Sequence, residues 1–208
     1  MSVGIVGSGK IGGTLAGLLV GAGDEVTLAN SRGPGSLAGR VAALGPAARA
    51  GTIDEAARAG DVVVVAIPLG SHTELPADAL AGRVVIDAMN YYQGRDGRID
   101  ELEGDGVIGS SELLARHLPG ARVVKAFNTI HWQRLRDEGR PEGAAGRLAV
   151  PIAGDDAAAK EIVAGLIDRI GFDPVDAGSL ADGRRQQPGT PVYNQPLSAD
   201  GVREALAS

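Results

Sequence analysis

Cysteine is absent from the 208 residues, which excludes disulfides, thiolate metal sites and cysteine nucleophiles. Aromatic side chains are scarce at 3%, so a core drawn from the 44% of hydrophobic residues must consist of Ala, Val, Leu and Ile. No excess of positive charge is present either. The net charge of -6 argues against a nucleic-acid backbone or an anionic membrane as partner. No apolar run approaches the ~20 residues that a membrane span needs. The first strand is expected to begin at Ser2 or Val3, which leaves no room for a signal peptide and suggests a soluble cytoplasmic protein.

What is present is a regular alternation of strand-like and helix-like segments. "SVGIV" reads as a short buried strand, and "KIGGTLAGLLVGAG" as a helix with Ile11, Leu15, Leu18 and Leu19 at apolar spacing. "DEVTLAN" is the next strand, followed by a helix expected over residues 34–45 and opened by Pro34. After the weak strand "ARAGT", Thr52 has Glu55 three positions on, the spacing of a capping box. "DVVVVAIP" is continuously apolar rather than alternating, as a parallel sheet covered on both faces requires. "RVVIDAMN" and "ARVVKAFN" repeat that shape after helical stretches near 72–80 and 110–118. The pattern predicts an α/β doubly wound, mostly parallel sheet over residues 1–127.

Beyond residue 127 the pattern loosens into a smaller C-terminal portion, residues 128–208. Residues 128–146 suggest a loop or short helix, and "GRLAVPIAG" another strand. "DDAAAKEIVAGLIDRIGF" is an amphipathic helix with Ile162, Val163, Leu166, Ile167 and Ile170 on one face. Asp155 is its expected N-cap and Gly171 its C′ residue. "DPVDAG" closes that unit as a strand. "GRRQQPGTPVYNQPLS" has three prolines and no periodicity, which leaves an ordered lid and a floppy tail both open.

Gly7-Ser8-Gly9-Lys10-Ile11-Gly12 fits G-x-G-x-x-G. In a chain with 32 glycines the pattern alone is weak, but here it follows a strand and opens a helix within a β-α-β unit. Gly7 permits the tight turn, Gly9 lets backbone approach a pyrophosphate, and Gly12 lets helix and strand pack closely. The helix N-terminus supplies free N–H groups and a positive partial charge. About twenty residues later, an NAD-preferring enzyme places a carboxylate against the ribose 2′-hydroxyl. This chain has "LANSRGP" there, with Asn30, Ser31 and Arg32 and no acidic residue. Arg32 can grip a phosphate through two charge-assisted hydrogen bonds and Ser31 can add a third, so the expected cofactor is NADP(H).

Two further strand ends face the same crevice, because ligands of open α/β sheets collect at the carboxyl ends of strands. Ala66, Ile67 and Pro68 end one, with Leu69 placed to flank the adenine or ribose. Asn90 ends the other, where a nicotinamide carboxamide is expected. A proton donor is poorly signalled. No Y-x-x-x-K arrangement exists, and of the three lysines only Lys125 is expected near the reacting atoms. His72 and His117 read as structural helix residues, whereas His131 in "FNTIHW" can reach the site. No H-x-x-H or carboxylate cluster suggests a metal. Hydride transfer to a flavin or deazaflavin ring needs no acid on the accepting atom, and the protein mainly aligns the two rings. Tyr91, Tyr92, Phe127, Trp132 and Tyr193 are expected as rings at the crevice, leaving Phe172 to ordinary packing.

"GIVGSGKIGGTLA", "ANSRG", "VVVVAIP", "VVIDAMN", "VVKAFNTI" and "VPIAGDD" together resemble the coenzyme F420-dependent NADP oxidoreductase family, in order and over most of the chain to about residue 180. The cytosolic reductase domain of six-transmembrane metalloreductases is similar, especially over "VVKAFNTI". The resemblance implies a Rossmann domain, a small C-terminal portion covering the cleft, and a homodimer. It also implies NADPH held by residues such as Ser31 and Arg32, and hydride passed to F420, FMN or FAD as a small-molecule redox acceptor. Carried over, Ser8, Asn128 and Ile130 border the meeting point of the rings, and Asn128 and His131 are the candidate catalytic residues. Deazaflavin reductases of the family commonly have His where Asn128 stands, and the proline-rich tail also departs from them. Two other functions fit the same cofactor: direct reduction of an imine or carbonyl, and a non-catalytic NADP(H) sensor that binds a partner protein.

Overall fold

A computed structural model describes residues 1–103 and 107–208. The strands are β1 (Ser2–Val6), β2 (Glu25–Ala29), β3 (Ala48–Ala50), β4 (Val62–Val65), β5 (Val84–Asp87), β6 (Arg122–Lys125), β7 (Ala149–Gly154) and β8 (Asp173–Asp176). They form one sheet in the order β3-β2-β1-β4-β5-β6-β7-β8. Every neighbouring pair is parallel except β6 and β7, which run antiparallel. The chain order reverses between β1 and β4, and that switch point opens a crevice at the strand ends.

Helix α1 (Lys10–Gly21) follows β1, and α2 (Ala38–Leu44) and α3 (Ile53–Ala59) flank β3. The short α4 (Ala77–Leu80) and α5 (Gln93–Asp96) lie on either side of β5, and α6 (Ser110–His117) leads into β6. Helices α7 (Trp132–Asp137), α8 (Ala157–Arg169) and α9 (Ala199–Ala207) belong to the C-terminal portion. Successive side chains of a strand point to opposite faces, and the valine run of β4 shows the result. Val62 and Val64 join the core under α1 and α8, whereas Val63 and Val65 join the core under α3, α4 and α6. A run buried on both faces has no reason to alternate.

The expected helix over 34–45 is divided into a 3-10 turn, Pro34–Leu37, and α2. Ser36 Oγ bonds Gly33 O (2.8 Å) and the side chain of Asn30, so local side-chain bonding competes with helix at its start. The stretch near 72–80 is also broken, into a 3-10 turn (Leu69–Glu74) and α4. Pro76 holds the preceding Leu75 in extended backbone, at φ -71° and ψ 135°. Thr52 and Glu55 form the expected capping box. At α8 the N-cap is Asp156 rather than Asp155: Asp156 accepts from Ala159 N (2.9 Å), and Asp155 accepts from Leu180 N (2.9 Å). Gly171 does follow α8 with a positive φ of +99°.

The proline-rich tail is ordered. It forms a 3-10 turn over Ala181–Gln186, buries Val192, and ends in α9, which the tail's prolines did not suggest. Val202 and Leu206 of α9 pack on Ala149, Ala153 and Val175 of β7 and β8. An ion-pair cluster ties this portion back to the first half. Asp24, fully buried, accepts from the N-terminal ammonium (2.7 Å) and from Arg169 at the end of α8 (2.9 Å).

Candidate functional site

The turn after β1 is built as its glycines require. Gly7 has φ +114°, and a Cβ there would meet Ala66 O at 2.3 Å. At Gly12 a Cβ would meet Gly7 O at 1.9 Å, so α1 seats directly on the turn. A Cβ on Gly9 would meet nothing within 4 Å, which leaves open space above the backbone. The first turn of α1 has no acidic residue and no side-chain cap, and its first backbone bond is Gly13 N to Gly9 O (2.9 Å). The preceding N–H groups are therefore free for an anion, and this cradle fits a pyrophosphate.

Two adjoining cavities lie along the crevice and share the wall Ala66-Ile67-Pro68. The first, about 290 Å³, takes in Gly7, Ser8 and Gly9 on one side and Asn30, Ser31 and Arg32 on the other. Ile53, Ser71, Glu74 and Leu75 complete it. The second, about 420 Å³, brings together Lys10, Ile11, Asn90, Asn128, Ile130 and His131 from three separate parts of the chain. Gly12 of the glycine turn lines neither, because it is spent on packing.

Asn30 organises the loop. Its Oδ1 accepts from Arg32 N (2.9 Å), and its Nδ2 donates to Ser8 Oγ (3.1 Å) and Ser36 Oγ (3.0 Å). The loop is thus braced from within, and Ser31 and Arg32 remain exposed at the cavity rim. Arg32 has no ion pair among the described residues. Glu74 on the opposite wall was not foreseen, since it lies in a turn far along the sequence.

At the other end Asn90 and Asn128 hold each other. Asn90 Nδ2 donates to the backbone carbonyl of Asn128 (2.8 Å), and Asn128 Nδ2 donates to Asn90 Oδ1 (3.0 Å) and Gln186 O (2.6 Å). The two backbone carbonyls fix both amide orientations. Asn128 Oδ1 is left buried without a protein partner, as are both amide atoms of Gln186. Buried polar atoms are ordinarily satisfied, so this corner holds two acceptors and one donor still to be matched. Phe127, just before Asn128, has φ +63°, a left-handed conformation rare for a large side chain and frequent where function holds the backbone.

Three expectations need correction. Lys125 does not reach the reacting end: it is fully buried, with Nζ on Asp87 (3.4 Å), Ser110 Oγ (3.1 Å) and Met89 O (3.2 Å). It braces the chain beneath the cavity, and Lys10 is the lysine that lines it. Leu69 is wholly in the core, and Ile53 and Leu75 supply the apolar wall instead. Of the five expected crevice rings, Tyr92, Trp132 and Tyr193 line the second cavity with their neighbours. Phe127 also lines it, although its side chain is fully buried, whereas Tyr91 turns away to Glu103 (2.5 Å). The two structural histidines behave as expected, His72 on Leu69 O (2.9 Å) and His117 on Leu75 O (3.0 Å).

Tyr193 comes from the tail, with Asn194 N bonded to Thr129 O (2.8 Å), and its hydroxyl meets that of Tyr92. Burial pushes its phenol well above the usual range, and the Tyr92 hydroxyl adds to the effect, so Tyr193 remains protonated. Arg95 stacks over the Tyr92 ring at 5.0 Å and donates to Asn90 O (2.7 Å). Asp96 anchors this wall by accepting from Tyr92 N (2.9 Å) and pairing with Arg95 (2.8 Å). Burial raises the Asp96 carboxyl, but Arg95 and the backbone N–H groups of Tyr92 and Gly70 outweigh that and hold it below the ordinary range. Neither Arg95 nor Asn194 carries a local sequence signal; only chain closure brings them to the cavity.

The strand order, the glycine turn and the two-lobed crevice at the switch point define a Rossmann-type α/β protein. Comparison with known proteins agrees. Residues 2–91 match the family model described as NADP oxidoreductase, coenzyme F420-dependent. Over 184 residues the chain is 35% identical to the metalloreductase STEAP3 of Rattus norvegicus, covering 88% of this chain. The chain spans little more than a third of the length of the curated relatives it matches, 35% and 39%. Among solved structures, a hypothetical protein from Sinorhizobium meliloti is 33% identical with a TM-score of 0.80, covering 95% of both chains. A proposed F420-dependent NADP reductase from Arthrobacter sp. FB24 is 29% identical with a TM-score of 0.74, covering 88% of this chain and 87% of that one. Residues 2–91 belong to the coenzyme F420-dependent NADP oxidoreductase family.

Proposed function

We propose that this chain is an NADP(H)-dependent oxidoreductase that exchanges hydride between NADPH and a planar acceptor of deazaflavin or flavin type. The observation that carries the reading is the pair of joined cavities, one rimmed by Ser31 and Arg32 and the other walled by Tyr92, Trp132 and Tyr193. When bound, NADPH supplies the hydride. The N–H groups at the start of α1 would hold its pyrophosphate, and Ser31 and Arg32 its 2′-phosphate. Asn90 and Asn128 face the reacting end with amides whose orientation is already set, which lowers the cost of ordering a ring there. Ile11 and Ile130 make part of the second lobe apolar and limit water near the transferred hydride. The test is to supply NADPH with F420, FMN, FAD and ferric chelates in turn and follow its oxidation. Turnover with F420 or a flavin supports the reading; tight NADPH binding with no turnover on any acceptor transfers the chain to the sensor function.

One observation favours a second reading, direct reduction of a C=N or C=O bond. The Tyr193 hydroxyl stands at the second cavity and can donate the proton that a developing alkoxide or amide anion requires. In that case Tyr193→Phe abolishes most carbonyl or imine turnover and leaves flavin reduction intact.

A further inference from the structure

Resting on the reductase reading, we infer that a third concavity, along the outer face of α1, is a subsite for an anionic chain of the hydride acceptor. Its volume is about 600 Å³. The floor starts at Ser8 and Gly9 of the glycine turn and continues over Gly13, Thr14, Gly17 and Leu18, and the walls carry Lys10, Arg40 of α2, and Trp132 and Arg136 of α7. Lys10 Nζ and the Arg136 guanidinium lie 5.5 and 5.0 Å from the centre of the Trp132 ring. The Arg40 guanidinium rests on the bare backbone of Gly13, where a Cβ would sit 1.9 Å from Nη1. The chain's net charge is -6, yet no Asp or Glu lines this groove among the described residues. Arg136 is held by Asp137 (2.7 Å), while Lys10 and Arg40 have no ion pair among the described residues. Convergent cations over a low-dielectric floor attract an anion.

The position of the groove selects its ligand. Lys10 and Trp132 line both the groove and the ring cavity, so a substituent leaving the ring past Trp132 enters the groove directly. From Gly9 to Leu18 the floor runs roughly 13 Å at 1.5 Å per residue, too long to serve one dinucleotide phosphate. The pyrophosphate cradle shares Ser8 and Gly9 with the near end of the groove and the 2′-phosphate is assigned to Arg32, so the stretch from Gly13 to Leu18 is left to another ligand. A phosphoryl or carboxylate chain on the acceptor has the charge and reach that remain.

Trp132 is the only tryptophan of the chain, so intrinsic fluorescence reads this groove. Protein saturated with NADP+ is titrated with inorganic tripolyphosphate and, separately, with citrate. A saturable, salt-sensitive change with either is expected, and the stronger ligand tells phosphoryl from carboxylate. The double variant Arg40→Ala/Arg136→Ala is expected to weaken it about tenfold or more. Gly13→Ala keeps every charge and a helix-favouring residue but displaces Arg40, and it should weaken binding too. In turnover, the wild type should show a lower KM for FMN than for riboflavin, which lacks the phosphate, and the double variant should lose that difference. No saturable signal, or unchanged affinity in the double variant, overturns the subsite. Equal KM for FMN and riboflavin overturns it while leaving the reductase reading intact. If no ring acceptor is reduced at all, the reductase reading and the acceptor role of the groove fall together.

Discussion

Arg32 bears most of the cofactor assignment on one exposed side chain at the rim of the first cavity. A charge-assisted hydrogen bond contributes roughly 1.5–3 kcal/mol. Arg32→Ala should therefore raise the NADPH dissociation constant about ten- to a hundredfold while barely changing that for NADH. Calorimetry with both cofactors checks this, and equal losses contradict the 2′-phosphate role. Tyr193 gives a separate handle through pH. Its folded pKa is raised above the unfolded value, so its contribution to stability is fully present below about pH 10 and is lost as pH climbs through the folded value. Melting temperatures of the wild type should fall more steeply above about pH 10 than those of Tyr193→Phe. Parallel curves would show that the phenol titrates normally and that the wall around it is open to water.

Between helices and strands, Asp24 and Arg169 couple residues 145 positions apart and fasten the end of α8 to the turn before β2. The two partners differ in exposure: the Asp24 side chain is fully buried, whereas Arg169 and the N-terminus are each 38% exposed. Removing the charge with Asp24→Asn leaves two cations that water can still reach. Arg169→Ala instead leaves a buried carboxylate with one partner, the more costly state. Arg169→Ala is expected to be the more destabilising of the two by about 1–2 kcal/mol, measured by urea denaturation. The opposite ranking would mean that the N-terminal ammonium alone satisfies Asp24.

Across the folded chain, cofactor selectivity should appear as stability. A ligand that binds only the native state at a hundred times its dissociation constant adds about 2.7 kcal/mol. For a domain of this size that raises the melting temperature by about 5–10 °C. NADP+ should produce such a shift, and NAD+ at the same concentration a much smaller one. Equal shifts would remove the case for a 2′-phosphate site, in agreement with a failed Arg32 test. Ordering of the tail belongs here as well, because Tyr193 and Gln186 meet the cavity corner only when the chain beyond β8 has folded back.

Much of this protein is determined locally and could be read from residues in order. The valine run of β4 is continuous because both sheet faces are covered, the Thr52–Glu55 box closes over three residues, and Gly7 and Gly12 answer steric demands within one turn. Asn30, Ser31 and Arg32 were legible for the same reason, as they follow β2 at a set distance from the glycine turn. The antiparallel direction of β7 was not legible. No long crossover helix joins β6 to β7, and the six residues of α7 pack on α1, so the direction depends on contacts rather than on periodicity. The same holds for Lys125, drawn inward by Asp87, and for Arg95 and Asn194, which reach the cavity only through closure of distant segments. Strand and turn signals are short-range because backbone sterics and side-chain alternation act over a few residues. Which side chain faces the cavity and which faces the core is decided by long-range packing, so Arg95 and Asn194 join the acceptor end unforeseen beside Tyr92, Trp132 and Tyr193, which were expected there.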